Sequence, residues 1–172
     1  MYMVSRPYVR SSSRCCIFCS CLNIQYFTTA CGILKIIQLV LGSICQSIML
    51  FYGTKYMPTF GTSYESFLTT VAGCLMTTSV ISVSYLLSKN TEVLVRSTLF
   101  EIMFGIFASI CYFSSSSLLT MAVYMLLFPI FMTVPFTSLF SSIILAYTIG
   151  FILSALYALD AYWAFKYYKG FP

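Results

Sequence analysis

The chain has 172 residues, of which 60% are hydrophobic, 18% aromatic and only 8% charged, with a mean hydropathy of +0.93. A soluble domain carries about 25% charged and 45–50% apolar residues, so this composition excludes a soluble globular enzyme, a disordered tail, a collagen-like chain and a nucleic-acid binder. What remains is an integral membrane protein with little mass outside the bilayer. The net charge of +5 comes from nine Lys or Arg against four Asp or Glu, and histidine is absent, which removes the commonest general base and metal ligand.

Residues 1–29 read as a polar, basic tail with Arg6, Arg10 and Arg14 and four close cysteines, Cys15, Cys16, Cys19 and Cys21. The first apolar run starts near Ala30. It is too long for a signal-peptide core and lacks a small-residue cleavage site, so it is expected to act as an uncleaved anchor. A spanning helix needs about 20 mostly apolar residues, and the chain offers four such runs, at about 31–51, 66–87, 97–119 and 139–165. Gly53, Pro58 and Gly61 mark a loop between the first two. The segment 88–96 is the charged loop between the second and third. A membrane domain thus occupies 30–166, followed by a short tail at 167–172.

The stretch 118–136 is apolar enough to be a fifth span. Charge argues against it. With four spans and a cytoplasmic N-terminus, Arg6, Arg10, Arg14, Lys89, Arg96, Lys166 and Lys169 all lie inside, whereas a fifth span exports the last two. Pro129 and Pro135 also interrupt it. It reads as an extension of the third span plus an apolar exoplasmic loop dipping into the interface. The serine run 114–117 is short enough to be a helix end. The fold class expected is an all-α membrane protein, an M-shaped four-helix bundle with both termini cytoplasmic.

Three charges fall inside the apolar runs: Lys35, Glu101 and Asp160. In this topology each lies about five residues from the cytoplasmic end of its helix, a shared depth of roughly 7 Å. Charges in a bilayer pair with one another or face the bundle interior. A Lys35–Glu101–Asp160 cluster fixing helix packing is one reading; separate snorkelling to the interface is another; a proton or ion pathway is a third. On the first span, Cys31, Lys35, Gln38, Gly42 and Gln46 fall within about 80° of one another. They make either an interhelical hydrogen-bonded seam or the lining of a pathway. The last span carries small residues at every fourth position: Ser138, Ser142, Ala146, Gly150, Ser154 and Ala158. Such a ridge lets helix backbones approach closely, within the bundle or between copies. Ser97, Gly105 and Ser109 on the third span and Gly73 and Thr77 on the second repeat the spacing.

Aromatic residues crowd the interfaces: Phe51, Tyr52, Tyr56 and Tyr64 at the first exoplasmic loop, and Tyr162, Trp163, Phe165, Tyr167 and Tyr168 at the end of the last span. That is the pattern of aromatic belts. The juxtamembrane cysteines Cys15, Cys16, Cys19 and Cys21 are candidates for palmitoylation, which would pin the tail to the inner leaflet. Four thiols in seven residues leave no loop to shape a tetrahedral zinc site, and reduced, unmodified thiols are the plain alternative. The other cysteines, Cys31, Cys45, Cys74 and Cys111, lie in or beside apolar runs, so no stapling disulfide is expected. No glycosylation sequon, phosphate-binding glycine loop, GxSxG or HExxH occurs. No catalytic residue, metal site or cofactor is expected.

The stretch 21–44, CLNIQYFTTACGILKIIQLVLGSI, resembles the opening of a MARVEL domain. RSTLFEIMFGIFASICYF at 96–113 is similar to that family's third helix, which often begins with an acidic residue. ALYALDAYWAFKYYKG at 155–170 resembles its last helix. The resemblance covers about 22–169, with a second exoplasmic loop more apolar than in many members. It implies a small MARVEL tetraspan of the chemokine-like-factor, plasmolipin or Singles bar type, working in membrane apposition, vesicle trafficking or fusion, including the myoblast fusion associated with the last type. The expected partners are membrane lipids, among them sterol-rich domains, and other membrane proteins or further copies, with no nucleic acid. The expected location is the plasma membrane or trafficking vesicles. The alternative reading is a small channel or transporter subunit using the intramembrane polar residues.

Overall fold

The computed structural model describes residues 29–53, 57–87, 95, 98–127 and 137–169. The cysteine cluster at 15–21, the charged segment 88–94 and the stretch 128–136 lie outside the described residues. Four helices carry the chain: α1 (Ala30–Ile48), α2 (Met57–Leu87), α3 (Leu99–Ala122) and α4 (Thr137–Tyr168). Among the described residues there is no strand. α1 and α3 each run on into one π-helical turn, Met49–Gly53 and Val123–Leu127. Each helix contains a segment long and apolar enough to cross a membrane: Ala30–Tyr52, Gly61–Leu87, Leu99–Met125 and Ser141–Tyr168. These segments of 23 to 28 residues are about 35–42 Å long, enough for the hydrocarbon core and part of both headgroup regions. The protein is an integral, multi-pass membrane protein.

Local chemistry sets the helix ends. Thr29 is extended and its hydroxyl accepts a hydrogen bond from the Gly32 amide, capping α1. Gly61 breaks the start of α2 with φ 51° and ψ −133°, a conformation open essentially to glycine alone. The loop predicted around Gly53, Pro58 and Gly61 is therefore partly helical, with a glycine kink. The serine run 114–117 lies inside α3 rather than at its end. Three of its four hydroxyls donate to carbonyls about one turn back, Ser114 to Cys111, Ser115 to Tyr112 and Ser117 to Phe113, so these polar side chains sit in a spanning helix without an outside partner.

Each helix packs chiefly on two neighbours. α1 and α3 both lie against α2 and α4, and α3 and α4 share the most extensive contact. The buried positions alternate in steps of three and four. On α2 they are Tyr64, Phe67, Val71, Cys74, Thr78, Ile81 and Tyr85; on α3, Glu101, Gly105, Ala108, Tyr112, Ser115 and Leu119. On α4 they are Ile143, Ala146, Gly150, Leu153, Tyr157, Asp160 and Ala164. This 3.5-residue period is that of left-handed, knobs-into-holes bundle packing.

The interior holds most of the polarity. Lys35, Gln38, Thr78, Ser82, Glu101, Ser115, Ser116, Ser154 and Asp160 are buried, whereas Ile33, Ile37, Val40, Met76, Val80, Phe107, Ile110 and Ile152 are exposed on the outer faces. A protein in water would bury the second set and expose the first; in lipid the apolar faces are already solvated. Tyr64 departs from its predicted place in an aromatic belt. It is buried, and its hydroxyl donates to the Met49 carbonyl at 2.9 Å, tying α2 to the π-turn after α1. Phe51, Tyr162, Trp163, Phe165, Tyr167 and Tyr168 are exposed, as a belt requires.

The helical glycines differ in what a side chain would meet. At Gly105 an added Cβ would lie 2.9 Å from Ala161 Cβ and 3.2 Å from the Tyr157 carbonyl oxygen, both rigid. At Gly42 it would meet the flexible end of Leu75 at 2.8 Å, and at Gly73 nothing within 4 Å. Gly73 thus faces outward, against the reading that it packs within the bundle. Gly105→Ala is expected to destabilise the fold by about 1–3 kcal/mol through overpacking, Gly42→Ala by less, and Gly73→Ala to be neutral or stabilising by up to about 1 kcal/mol. Thermal unfolding of the three variants in one detergent checks the order.

Candidate functional site

The three intramembrane charges meet at one end of the bundle. Lys35 stands near the start of α1, Glu101 in the first turn of α3, and Asp160 two turns before the end of α4. The antiparallel course of the helices brings these positions to one level. Lys35 Nζ donates to Asp160 Oδ2 at 2.5 Å and lies 3.3 Å from Glu101 Oε1. All three side chains are almost wholly buried, at 0%, 2% and 3% exposure. That burial excludes snorkelling, because a snorkelling head keeps its water. Glu101 also profits from its helix: the first turn is the positive end of the helix dipole.

A second polar layer lies one turn deeper. Gln38 Nε2 donates to the Leu156 carbonyl at 3.3 Å, tying α1 to α4. Thr78 and Tyr157 share a hydrogen bond of 2.7 Å between α2 and α4. The Tyr157 ring stacks on Tyr112 with centroids 5.5 Å apart and meets Phe104 edge-on at 5.9 Å. Deeper still, Ser154 donates to the Ser109 carbonyl at 2.9 Å, and Cys45 Sγ donates to the Ala146 carbonyl at 3.6 Å. The bundle is therefore cross-linked by polar contacts through successive layers.

The polar seam of α1 falls partly as predicted. Lys35, Gln38 and Gly42 are buried, but Cys31 and Gln46 are only half-buried, and Gly32 and Cys45 take the interior positions beside them. The small-residue ridge of α4 splits. Ala146, Gly150 and Ser154 are buried, Ser142 is half-buried, and Ala158 is exposed; the side chain of Ser138 lies outside the described residues. The reason is geometric. Four residues turn the helix about 40° past a full circle, so a strict four-residue stripe walks around the helix while the packed seam follows the 3.5 period. On α3, Gly105 and Ser109 both face α4, and Ser97 lies outside the described residues. The candidate palmitoylation sites Cys15, Cys16, Cys19 and Cys21 also lie outside them. Among the described residues Cys31, Cys45, Cys74 and Cys111 are free thiols, and no group of metal-ligating side chains occurs.

The buried tyrosines Tyr112 and Tyr157 belong to the main core, and Tyr85 is buried in a smaller cluster with Ile81 near the end of α2; the sequence reading did not place them there. The signal was available: they sit at heptad spacing with Thr78, Ile81, Ala108 and Leu153.

What the triad does chemically is to hold one ammonium between two carboxylates carried by two other helices, Asp160 in direct contact and Glu101 at 3.3 Å. Removing one partner of a buried pair costs about 3–5 kcal/mol, because the remaining charge loses its compensation. Lys35→Met is expected to destabilise the bundle by that amount. Asp160→Asn is expected to cost more than Glu101→Gln, since Asp160 makes the closer contact. Unfolding midpoints in detergent and in bilayers check this order.

No protein-family model matches the chain, and no solved structure matches it. The chain is similar to Protein singles bar of Drosophila melanogaster, with 35% identity over 156 residues, covering 91% of this chain and 89% of the fly protein.

Proposed function

The chain belongs to the Singles bar family, and on that premise we propose that it is a non-enzymatic, MARVEL-like membrane organiser acting in membrane apposition, vesicle trafficking or fusion, with cell–cell fusion as its specific form. Both termini face the cytosol, and the protein resides in the plasma membrane or in vesicles bound for it. Its partners are lipids, other membrane proteins and further copies of itself. Palmitoylation of the N-terminal cysteines strengthens its hold on the inner leaflet.

The observation that carries this reading is the buried ion triad. Lys35, Glu101 and Asp160 satisfy one another inside the bundle, and Gln38 bonds a backbone carbonyl. The intramembrane charges and the Gln38 amide nitrogen are thus engaged in holding helices together. What the protein offers to its surroundings is an apolar surface of Ile, Val, Phe and Met side chains, suited to lipids and the helices of other membrane proteins. A channel or transporter would instead use these polar groups on ions or solutes in transit.

The test is a content-mixing assay between cells lacking the gene. Fusion is expected to fall while cell adhesion persists, and re-expression of the wild-type chain is expected to restore it. Proteoliposomes are expected to show no ion or solute flux. Flux that Gln38→Leu abolishes would establish the transport reading instead. Reporters fused to the two ends are both expected in the cytosol; opposite sides would overturn the topology.

A further inference from the structure

The face formed by α3 and α4 carries a groove of about 350 Å³ that opens on the outside of the bundle. Ile102, Ile106 and Ile110 form one wall, and Tyr162 and Phe165 form the other. Ala158 is its floor, which gives the exposed end of the small-residue ridge a use. From Ile102 to Ile110 the wall is about 12 Å long, so the groove runs from the interface to well inside the apolar core. Its lining is almost wholly apolar, and the Ser109 hydroxyl within it lies 3.3 Å from that of Ser154.

The aqueous mouth is different in kind. Lys169 Nζ sits 4.6 Å above the ring of Phe165, a lining residue, and Lys166 is exposed beside it. A cation held over an aromatic face is fixed in place without a counter-charge. Among the described acidic residues Glu101 and Asp160 are buried, and Glu65 lies at the other end of the bundle. A parallel second copy therefore brings no described carboxylate to these lysines. We infer that the α3–α4 groove binds one anionic phospholipid, with an acyl chain along Ile102, Ile106 and Ile110 and the phosphate-bearing headgroup at Lys166 and Lys169.

In the orientation proposed above this end lies in the cytosolic leaflet, where anionic lipids are concentrated. The test does not depend on that orientation, because it uses a symmetric bilayer. The full chain is placed at one copy per nanodisc, and the motionally restricted fraction of spin-labelled phosphatidylserine is compared with that of phosphatidylcholine. Phosphatidylserine is expected to be preferred, with each lysine contributing about fivefold. Lys166→Gln with Lys169→Gln, at two exposed positions that leave the core intact, is expected to remove that contribution and lower the preference about 25-fold. Ala158→Phe, which fills the groove, is expected to abolish the phosphatidylserine excess in the restricted component at an unchanged unfolding midpoint. Equal restriction of both lipids in the wild type, or a preference unchanged in the lysine variant, would mean ordinary boundary lipid and overturn the inference. A phosphatidylserine preference seen only with two copies per disc would assign the site to an interface between copies and overturn it equally.

Discussion

An ammonium group in a bilayer has no water to fall back on, and the position of Lys35 follows from that constraint. The lipid-facing sides of these helices are solvated by acyl chains before and after folding, so burial of apolar area does little to choose one arrangement over another. A buried charge does choose. Lys35 meets both carboxylates only when the start of α1, the start of α3 and the end of α4 stand at one level with the right faces inward. Rotating any of these helices by a third of a turn, or sliding it by one turn, would leave a bare charge in hydrocarbon. The triad thus specifies rotation and vertical register together, at the end of the bundle where the chain enters α1 and leaves α4.

Close packing then propagates that register. The approach of α3 to α4 depends on Gly105, whose missing side chain admits Ala161, and on Gly150, where a Cβ would run into Ser116 Oγ of α3; the same Cβ would come within 2.8 Å of the Phe67 ring on α2. Around these contacts Tyr157 and Tyr64 act as bridges, with rings in the interior and hydroxyls on a neighbour. Tyr157 joins α2 through Thr78 and α3 through Tyr112 and Phe104. Tyr64 closes the opposite end by bonding the Met49 carbonyl. Tyrosine suits this place because it offers a large apolar surface and one hydroxyl that a low-dielectric interior obliges to find a partner.

The helices and the shared depth of the three charges were legible because both rest on rules that act over short stretches. Twenty apolar residues in a row have one structural meaning, whereas three lone charges at equal depth close to an interface can either pair or snorkel, and only the burial of their side chains decides for pairing. The identity of the buried faces was less legible. In a soluble helix the apolar stripe names the core; here Val80 and Thr78, or Ile110 and Tyr112, differ in burial in the opposite sense to their polarity. A four-residue ridge drawn through Ser138 and Ala158 follows composition, whereas the packed seam follows the supercoil. Tyr64 could not be told from a belt residue by its place near a loop, because its hydrogen-bond partner is a carbonyl at the end of a different helix.

The small residues of α4 therefore do two different things, and the difference comes from drift alone. Ala146, Gly150 and Ser154 turn inward and let α4 sit close to its neighbours; Ala158, further round the helix, turns outward and leaves a groove instead of a contact. The groove and the ion triad share their supports. Ile102 follows Glu101 in the chain, and Ala161, which lies against Gly105 and also lines the groove, follows Asp160. The α3–α4 contact that positions both carboxylates for Lys35 is thus the back wall of the outward groove. A shift of α4 away from α3 that opened the groove would also separate Asp160 from Glu101, and Lys35, anchored on α1, could not follow both. The ion pairs resist such a shift, so the lipid-facing groove keeps its shape because the interior behind it is locked by charge.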